Sequence, residues 1–274
     1  MVVLVSFPAS LRTVRSCWLL VCAFFVVLCT AEARSEDMRY AGAEFAPWIL
    51  RGSDGEVHGI CPDVLRAVMA AVGRDVSMRV VPKQRYQQDF AAGLLDGVIC
   101  SSLGWEGAVA GSALFAEAIA TARNVVLMLR EDKRQVNTVA DLKGMRVGVG
   151  AGYYYAEGLQ ALMQSGAVRR EDGQSSVGNL QKLLAGRVDA VVLDHVEAGW
   201  VMLHQGIDPA RVRVAYAFQE AAPVSIILSM HHADMLVPVN DALEKLRKAG
   251  SIDTVLRRYT VGLPLPQLPS GQVR

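Results

Sequence analysis

Apolar residues along this chain follow two rhythms, short runs fit for strands and longer segments spaced three and four apart, and the two alternate. Met38–Ala41 reads as an opening strand, followed by the loop Gly42–Trp48 and a turn at Asp54-Gly55. Val64, Leu65, Val68, Met69 and Val72 share one helical face; Pro62 sits in the first turn and Gly73 stops the helix. A strand over Val76–Val81, a helix over Gln84–Ala92 and a strand over Val98–Ser101 follow. Parallel neighbours need crossover helices, so this order predicts a parallel sheet. The pattern then restarts with a strand at Asn124–Leu129 and a charged surface turn, Arg130–Arg134. Next come a one-turn helix with an acidic cap at Asp141–Gly144, a strand at Met145–Val149, and helices at Tyr154–Gln164 and Val177–Ala185. A strand at Val188–Leu193 and a helix at His195–Gln205 complete this stretch. Two strands, Arg213–Tyr216 and Val224–Ser229, and two helices, Leu236–Ala249 and Ile252–Tyr259, close the pattern.

One phrase occurs twice. Ala92-Gly93-Leu94-Leu95-Asp96-Gly97-Val98-Ile99 is echoed 93 positions later by Ala185-Gly186-Arg187-Val188-Asp189-Ala190-Val191-Val192. Each copy leaves a helix through glycine, which accepts positive φ without steric cost, and enters a strand through Asp. One copy in each half of the chain predicts two similar α/β lobes with a cleft between them, where small ligands bind.

The first 33 residues read as a signal peptide. Arg12 and Arg15 precede the apolar run Cys17–Cys29, and Ala31-Glu32-Ala33 places cleavage after Ala33. Thirteen apolar residues fall short of the ~20 that span a bilayer. Removing this segment from 28 basic and 27 acidic residues leaves 26 of each, so neither nucleic acid nor an anionic membrane surface is an expected partner. Cys61 and Cys100 remain in an exported, oxidising setting. A bridge between them and two buried thiols both fit. Residues 261–274 carry three prolines and read as a flexible tail.

Several short motifs occur in a characteristic order. They are Phe45-Ala46-Pro47-Trp48, Gly59-Ile60-Cys61-Pro62-Asp63-Val64, Gly93–Asp96, Asp141–Val149, Gly186–Asp189, and Val239–Leu243 with Lys248-Ala249-Gly250. Over residues 38–260 the chain resembles type 2 periplasmic solute-binding proteins, in the family of polar amino acid binding components of ABC transporters. That resemblance implies two lobes, each a mainly parallel sheet flanked by helices, joined by two hinge strands near Ala118–Arg123 and Phe218–Pro223. Lobe one would comprise 38–120 and 223–260, and lobe two 121–222. Ligand contacts from both lobes then exist only in the closed form, so binding shifts an open–closed equilibrium.

The resemblance also orders the candidate ligand contacts. Asp194 ends the second echo strand and matches the family's acidic residue for a substrate ammonium; it also fits a helix N-cap. Gly148-Val149-Gly150-Ala151-Gly152-Tyr153 fails as a dinucleotide fingerprint, because Tyr153 stands where the third glycine belongs. In the family this loop offers backbone N–H groups to a ligand carboxylate, a use that suits a helix N-terminus. Tyr153 replaces the usual hydroxyl residue after Gly152. After Ser101-Ser102 the family carries an arginine clamp for the α-carboxylate, whereas Leu103–Ala110 here holds no basic residue. Arg85 and Arg123 are candidates to compensate, each also readable as a surface or structural arginine. Phe45, Trp48, Trp105 and Tyr153 are expected to give an aromatic cleft, and Glu106 with Asp194 suits a cation or amine.

No cofactor, metal or catalytic group is expected. His58, His195, His204, His231 and His232 lack metal-ligand spacing, and neither mature cysteine has an evident histidine partner. The expected protein is a monomeric, non-enzymatic periplasmic binder of a small solute, serving ABC-type import of an amino-acid-like or amine compound. The alternative is an accessory or sensory protein acting on a dehydrogenase or a sensor kinase, without a permease.

Overall fold

The computed structural model describes residues 37–107 and 109–260. The expected signal peptide, with its expected cleavage after Ala33, and the segment 261–274 expected to be a flexible tail lie outside the described residues. In chain order the elements begin with β1 (Met38–Gly42), the hairpin β2 (Leu50–Arg51) and β3 (Val57–His58), α1 (Ile60–Ala71), β4 (Val76–Val80), α2 (Lys83–Ala91) and β5 (Gly97–Ser101). A long strand, β6 (Ala113–Leu129), leads to β7 (Arg146–Gly150), α3 (Glu157–Gln164), β8 (Arg169–Gly173), α4 (Ser176–Leu184), β9 (Ala190–Asp194) and α5 (His195–His204). A second long strand, β10 (Val212–Ser229), returns to α6 (Leu236–Lys248) and α7 (Ser251–Thr260).

The sheet order is β4-β1-β5-β10-β6-β9-β7-β8, which is nearly a palindrome. β4, β1 and β5 form one parallel trio, and β8, β7 and β9 form the other. The trios are joined rather than separate, because antiparallel β6 and β10 hydrogen-bond to each other and to one trio each. The apparent short strands at Arg213–Tyr216 and Val224–Ser229 are therefore two ends of β10. Its polar and small middle residues, Gln219–Ala222, hide that continuity from a hydrophobic pattern.

Packing follows the same division. Residues from 38 to 122 and from 224 to 252 fill one pair of apolar clusters, whereas residues from 125 to 218 fill another pair. Within each trio, strand alternation sends neighbours to opposite faces. In β9, Ala190 and Val192 meet Leu159 and Met163 of α3, while Val191 and Leu193 meet Leu180, Leu183 and Met202 of α4 and α5. In β5, Val98 meets Tyr86 and Phe90 of α2, while Ile99 joins Leu65 and Met69 of α1. Each half is thus a sheet covered on both faces, which is why its strands read as continuous apolar runs.

The repeated phrase performs the same task twice. Gly93 and Gly186 lie at φ 70° and 66°, turning the chain out of α2 and α4. Asp96 then accepts the backbone N–H of Arg39 at 2.7 Å and its guanidinium at 3.1 Å. Asp189 accepts the N–H of Arg146 at 2.8 Å and its guanidinium at 3.1 Å. Arg39 lies in β1 and Arg146 in the corresponding strand β7, so each Asp pins the start of the central strand of its trio. The Arg39 and His232 hydrogen bonds outweigh burial and hold Asp96 at a pKa of about 2. Asp189 reaches about 2 chiefly through its hydrogen bond from Arg146.

Four features differ from the pattern, the first being that β6 begins at Ala113 rather than Asn124. α3 starts at Glu157 rather than Tyr154, because Tyr155 is buried in the second half's core. The turn Val139–Leu142 carries a capping box between Thr138 and Asp141, so Asp141 closes the box instead of being the cap. β8 has no apolar signal, since it is an exposed edge strand reading Arg-Arg-Glu-Asp-Gly.

Candidate functional site

The loop before α1 builds one wall of a cleft. The first N–H groups of a helix lack internal partners, and here the loop supplies them: Ile60 N–H donates to Pro47 O at 3.0 Å and Cys61 N–H to Trp48 O at 2.9 Å. Gly59 allows this approach, because it sits at φ 119° and a Cβ there would lie 2.7 Å from Trp48 O. Cys61 and Cys100 form a disulfide with Cα atoms 6.0 Å apart, tying the start of α1 to the end of β5. Phe45 thereby becomes the centre of an aromatic group. Its ring lies 6.2 Å from Trp48, 6.0 Å from Trp105 and 6.5 Å from Tyr153 of the other half.

A cavity of about 270 Å³ lies between this wall and the ends of β7 and β9. Of the residues picked out in the sequence, Phe45, Ser101, Trp105, Tyr153 and Asp194 line it. Four others do not. Trp48 is 2% exposed, and its indole N–H donates to Asp194 Oδ1 at 3.1 Å. Ser102 is buried, and Gly152 lies beside the lining residues Ala151 and Tyr153 without joining them. Glu106, expected beside a cation, is turned inward and fully buried. It accepts from Tyr86 Oη at 2.5 Å, Ser101 Oγ at 2.6 Å and Gln87 Nε2 at 2.9 Å. Its place in the sequence resembled a loop acid, but three donors from α2 and β5 convert it into the anchor of the Leu103–Trp105 turn.

Asp194 does cap α5, accepting from Val196 N at 3.1 Å and Glu197 N at 3.0 Å. It also accepts the N–H of Arg123 at 3.0 Å through Oδ2. Burial pushes its pKa up against these hydrogen bonds. Arg123 itself donates to Phe218 O at 2.9 Å, in a stretch where β6 and β10 stop pairing. Arg85 pairs with Asp89 at 3.0 Å on the far side of α2. Both arginines are thus held in structural roles away from the cavity wall.

The glycine loop is also occupied from within. Gly150 N–H donates to Tyr155 Oη at 2.7 Å, and Ala151 N–H to Gly173 O at 3.0 Å. Tyr153 N–H reaches Gly150 O at 3.3 Å. The late start of α3 separates this loop from that helix's N-terminus.

Three charged lining residues escaped the sequence reading, the exposed Glu44 and two that packing closes over. Glu197, in the first turn of α5, is 8% exposed; burial pushes its pKa up to about 8, opposed by a 2.6 Å hydrogen bond from Ser176 Oγ. Its only sequence signal is its position three residues after Asp194. Lys83 opens α2 and donates to Trp105 O at 2.9 Å, with its ammonium 5.6 Å from the centroid of the Tyr153 ring. Burial lowers its pKa, and the nearby Glu106 opposes that. Following Pro82 directly, Lys83 reads in sequence as one more solvated helix-start charge. Among the described residues no cluster of His, Cys, Asp and Glu could hold a metal, and no helix is long and apolar enough to cross a membrane.

This arrangement, two doubly covered parallel trios joined by two long strands with a cleft between, defines a two-lobed binding-protein fold. The model of the bacterial extracellular solute-binding proteins, family 3, matches residues 40–262, and the chain belongs to that family. The family's members are extracellular or periplasmic binding proteins rather than enzymes. The L-cystine-binding protein TcyJ of Escherichia coli (strain K12) is 29% identical over 133 residues, 48% of each protein. The chain spans about half the length of the curated relatives it matches. An ancestral arginine-binding protein bound to arginine superposes with a TM-score of 0.70 at 21% identity, covering 82% of this chain and 99% of that one. A histidine kinase sensor domain similar to periplasmic binding proteins gives 0.71 at 17% identity, covering 85% and 99%. At these identities the two structures share the fold.

Proposed function

We propose that this chain is a periplasmic binding protein, released by cleavage after about Ala33, whose lobes close on an amino-acid-like or amine solute for ABC-type import. The observation that carries the reading is the cavity between the two cores, with aromatic rings from both halves and two buried acids from the second. Phe45, Trp105 and Tyr153 would stack on the apolar part of the ligand. Asp194 and Glu197 would face its cationic group, since a nearby cation favours the charged form of a buried acid. The hinge would lie where β6 and β10 stop pairing, between Ala217 and Ala221 of β10. The protein acts as a monomer and performs no chemical step on its ligand.

A thermal-shift screen over amino acids, amines, organic acids and aromatic compounds tests this, because a ligand that binds only the folded state raises its melting point. Stabilisation by amino acids or amines is the expected outcome. Tight binding of free dicarboxylates with none of amines would contradict it. The sensor-domain likeness supports a second reading, in which the closed form is read by another protein instead of a permease. Co-purification with a permease under crosslinking separates the two.

A further inference from the structure

The ligand's anionic end has few places to go. The loop after β5 carries no basic residue, and the N–H groups of Gly150, Ala151 and Tyr153 are spent on protein acceptors. Arg85 and Arg123 are engaged with Asp89 and with the carbonyl of Phe218. Among the described residues that line the cavity, one is a cation, and that is Lys83.

We infer that Lys83 is the anion-binding residue of the cleft, so that the solute is a zwitterion with its carboxylate on Lys83 and its ammonium toward Glu197. This rests on the proposed binding function and selects the amino-acid-like class over simple amines. Lys83 is placed for the task by two contacts. Its hydrogen bond to Trp105 O fixes the stem and leaves further donor capacity, since an ammonium carries three N–H groups. The face of Tyr153, from the opposite lobe, lies beside it. Glu106, the acid that acts on it electrostatically, makes no ion pair with it among the described residues, and its oxygens already hold three hydrogen bonds. A desolvated ammonium of this kind gains most from an incoming carboxylate. Glu197 lines the cavity from the second half and acts electrostatically on Tyr153, as does the exposed Glu44 of the first, so acids for an ammonium stand apart from the one lysine.

The test is isothermal titration with matched pairs that differ only by loss of the α-carboxylate: L-arginine and agmatine, L-lysine and cadaverine, and, with both carboxylates lost, L-cystine and cystamine. In the parent protein the amino acid of the bound pair is expected to bind at least about tenfold tighter than its decarboxylated amine. Lys83→Met should erase that preference, leaving both members within about twofold, and Lys83→Arg should restore it. Circular dichroism of each variant shows that it is folded, and the preference is a ratio measured within one variant. An amine that binds as tightly as its amino acid overturns the assignment while leaving the binding function standing. A preference that survives Lys83→Met also overturns it. Should no member of any pair bind, the proposed function falls, and this assignment with it.

Discussion

The two halves of this molecule share a plan and differ in their cleft walls. In both, a left-handed glycine turns the chain out of a helix, and an Asp then fastens the first N–H and the guanidinium of the neighbouring central strand. That device sits at the amino ends of the strands, away from the cavity. At the carboxyl ends, where open α/β sheets bind ligands, the halves diverge. The first half offers aromatic rings beside the Cys61–Cys100 disulfide, and Lys83 at the start of α2. The second offers Asp194, Glu197 and hydroxyl groups, fixed by a helix cap with no covalent tie. Duplicated architecture and specialised walls occupy opposite ends of the same strands, so the walls can vary without disturbing the frame.

The largest asymmetry to test is the disulfide. Its cysteines are 39 positions apart, and closing a loop of that size contributes about 3–4 kcal/mol by restricting the unfolded chain. The double variant Cys61→Ala, Cys100→Ala should lose about that much in urea unfolding. Native-state hydrogen exchange should show the loss in the first half, with β7, β8 and β9 keeping their protection. Equal loss of protection in both halves would show that they unfold as one body.

The symmetry itself predicts a smaller, matched effect. Asp96→Asn and Asp189→Asn should each cost about 1–2 kcal/mol, by leaving an Arg backbone N–H and guanidinium poorly paired. Both carboxylates sit at about 2, below the ordinary range, so their stabilisation is complete above about pH 4 and lost as pH falls toward 2. Chemical denaturation from pH 7 to pH 2 should show the gap between parent and variants closing in that window. Unequal gaps at pH 7 would break the claimed equivalence.

Glu197 distinguishes the second half in the opposite sense. Its raised pKa means that the folded form holds a proton that the unfolded form releases between about pH 4.5 and 8, so its presence lowers stability as pH rises. Relative to the parent, Glu197→Gln should gain about 3–4 kcal/mol between pH 5 and pH 8 in ligand-free protein. Thermal melts at the two pH values read this directly, and a pH-independent difference would contradict it.

The frame was legible in sequence because its causes are local or periodic: the repeated Gly-x-x-Asp phrase, the apolar runs of β5 and β9, and the 3.6-residue spacing of α1. β8 was not, since an exposed edge strand needs no apolar face. The cleft was half legible. Phe45, Trp105, Tyr153 and Asp194 lie at loop and strand ends, where pattern points. Glu106 was misplaced because its orientation depends on donors from Tyr86 and Gln87 on a helix about 20 residues earlier, which spacing cannot reveal. Lys83 and Glu197 escaped for the same reason: a charge at a helix start reads as solvated until tertiary packing closes over it.

The central claim is that the solute sits between the halves, and one substitution tests it most directly. Ala151 is exposed on the cavity rim, so Ala151→Trp would fill the cleft without touching either core. Isothermal titration with the tightest ligand of the amino-acid and amine panel should give one site per chain in the parent and a loss of at least about a hundredfold in the variant, with its melting point unchanged in the absence of ligand. Full-strength binding by the folded variant would place the ligand elsewhere and contradict the account.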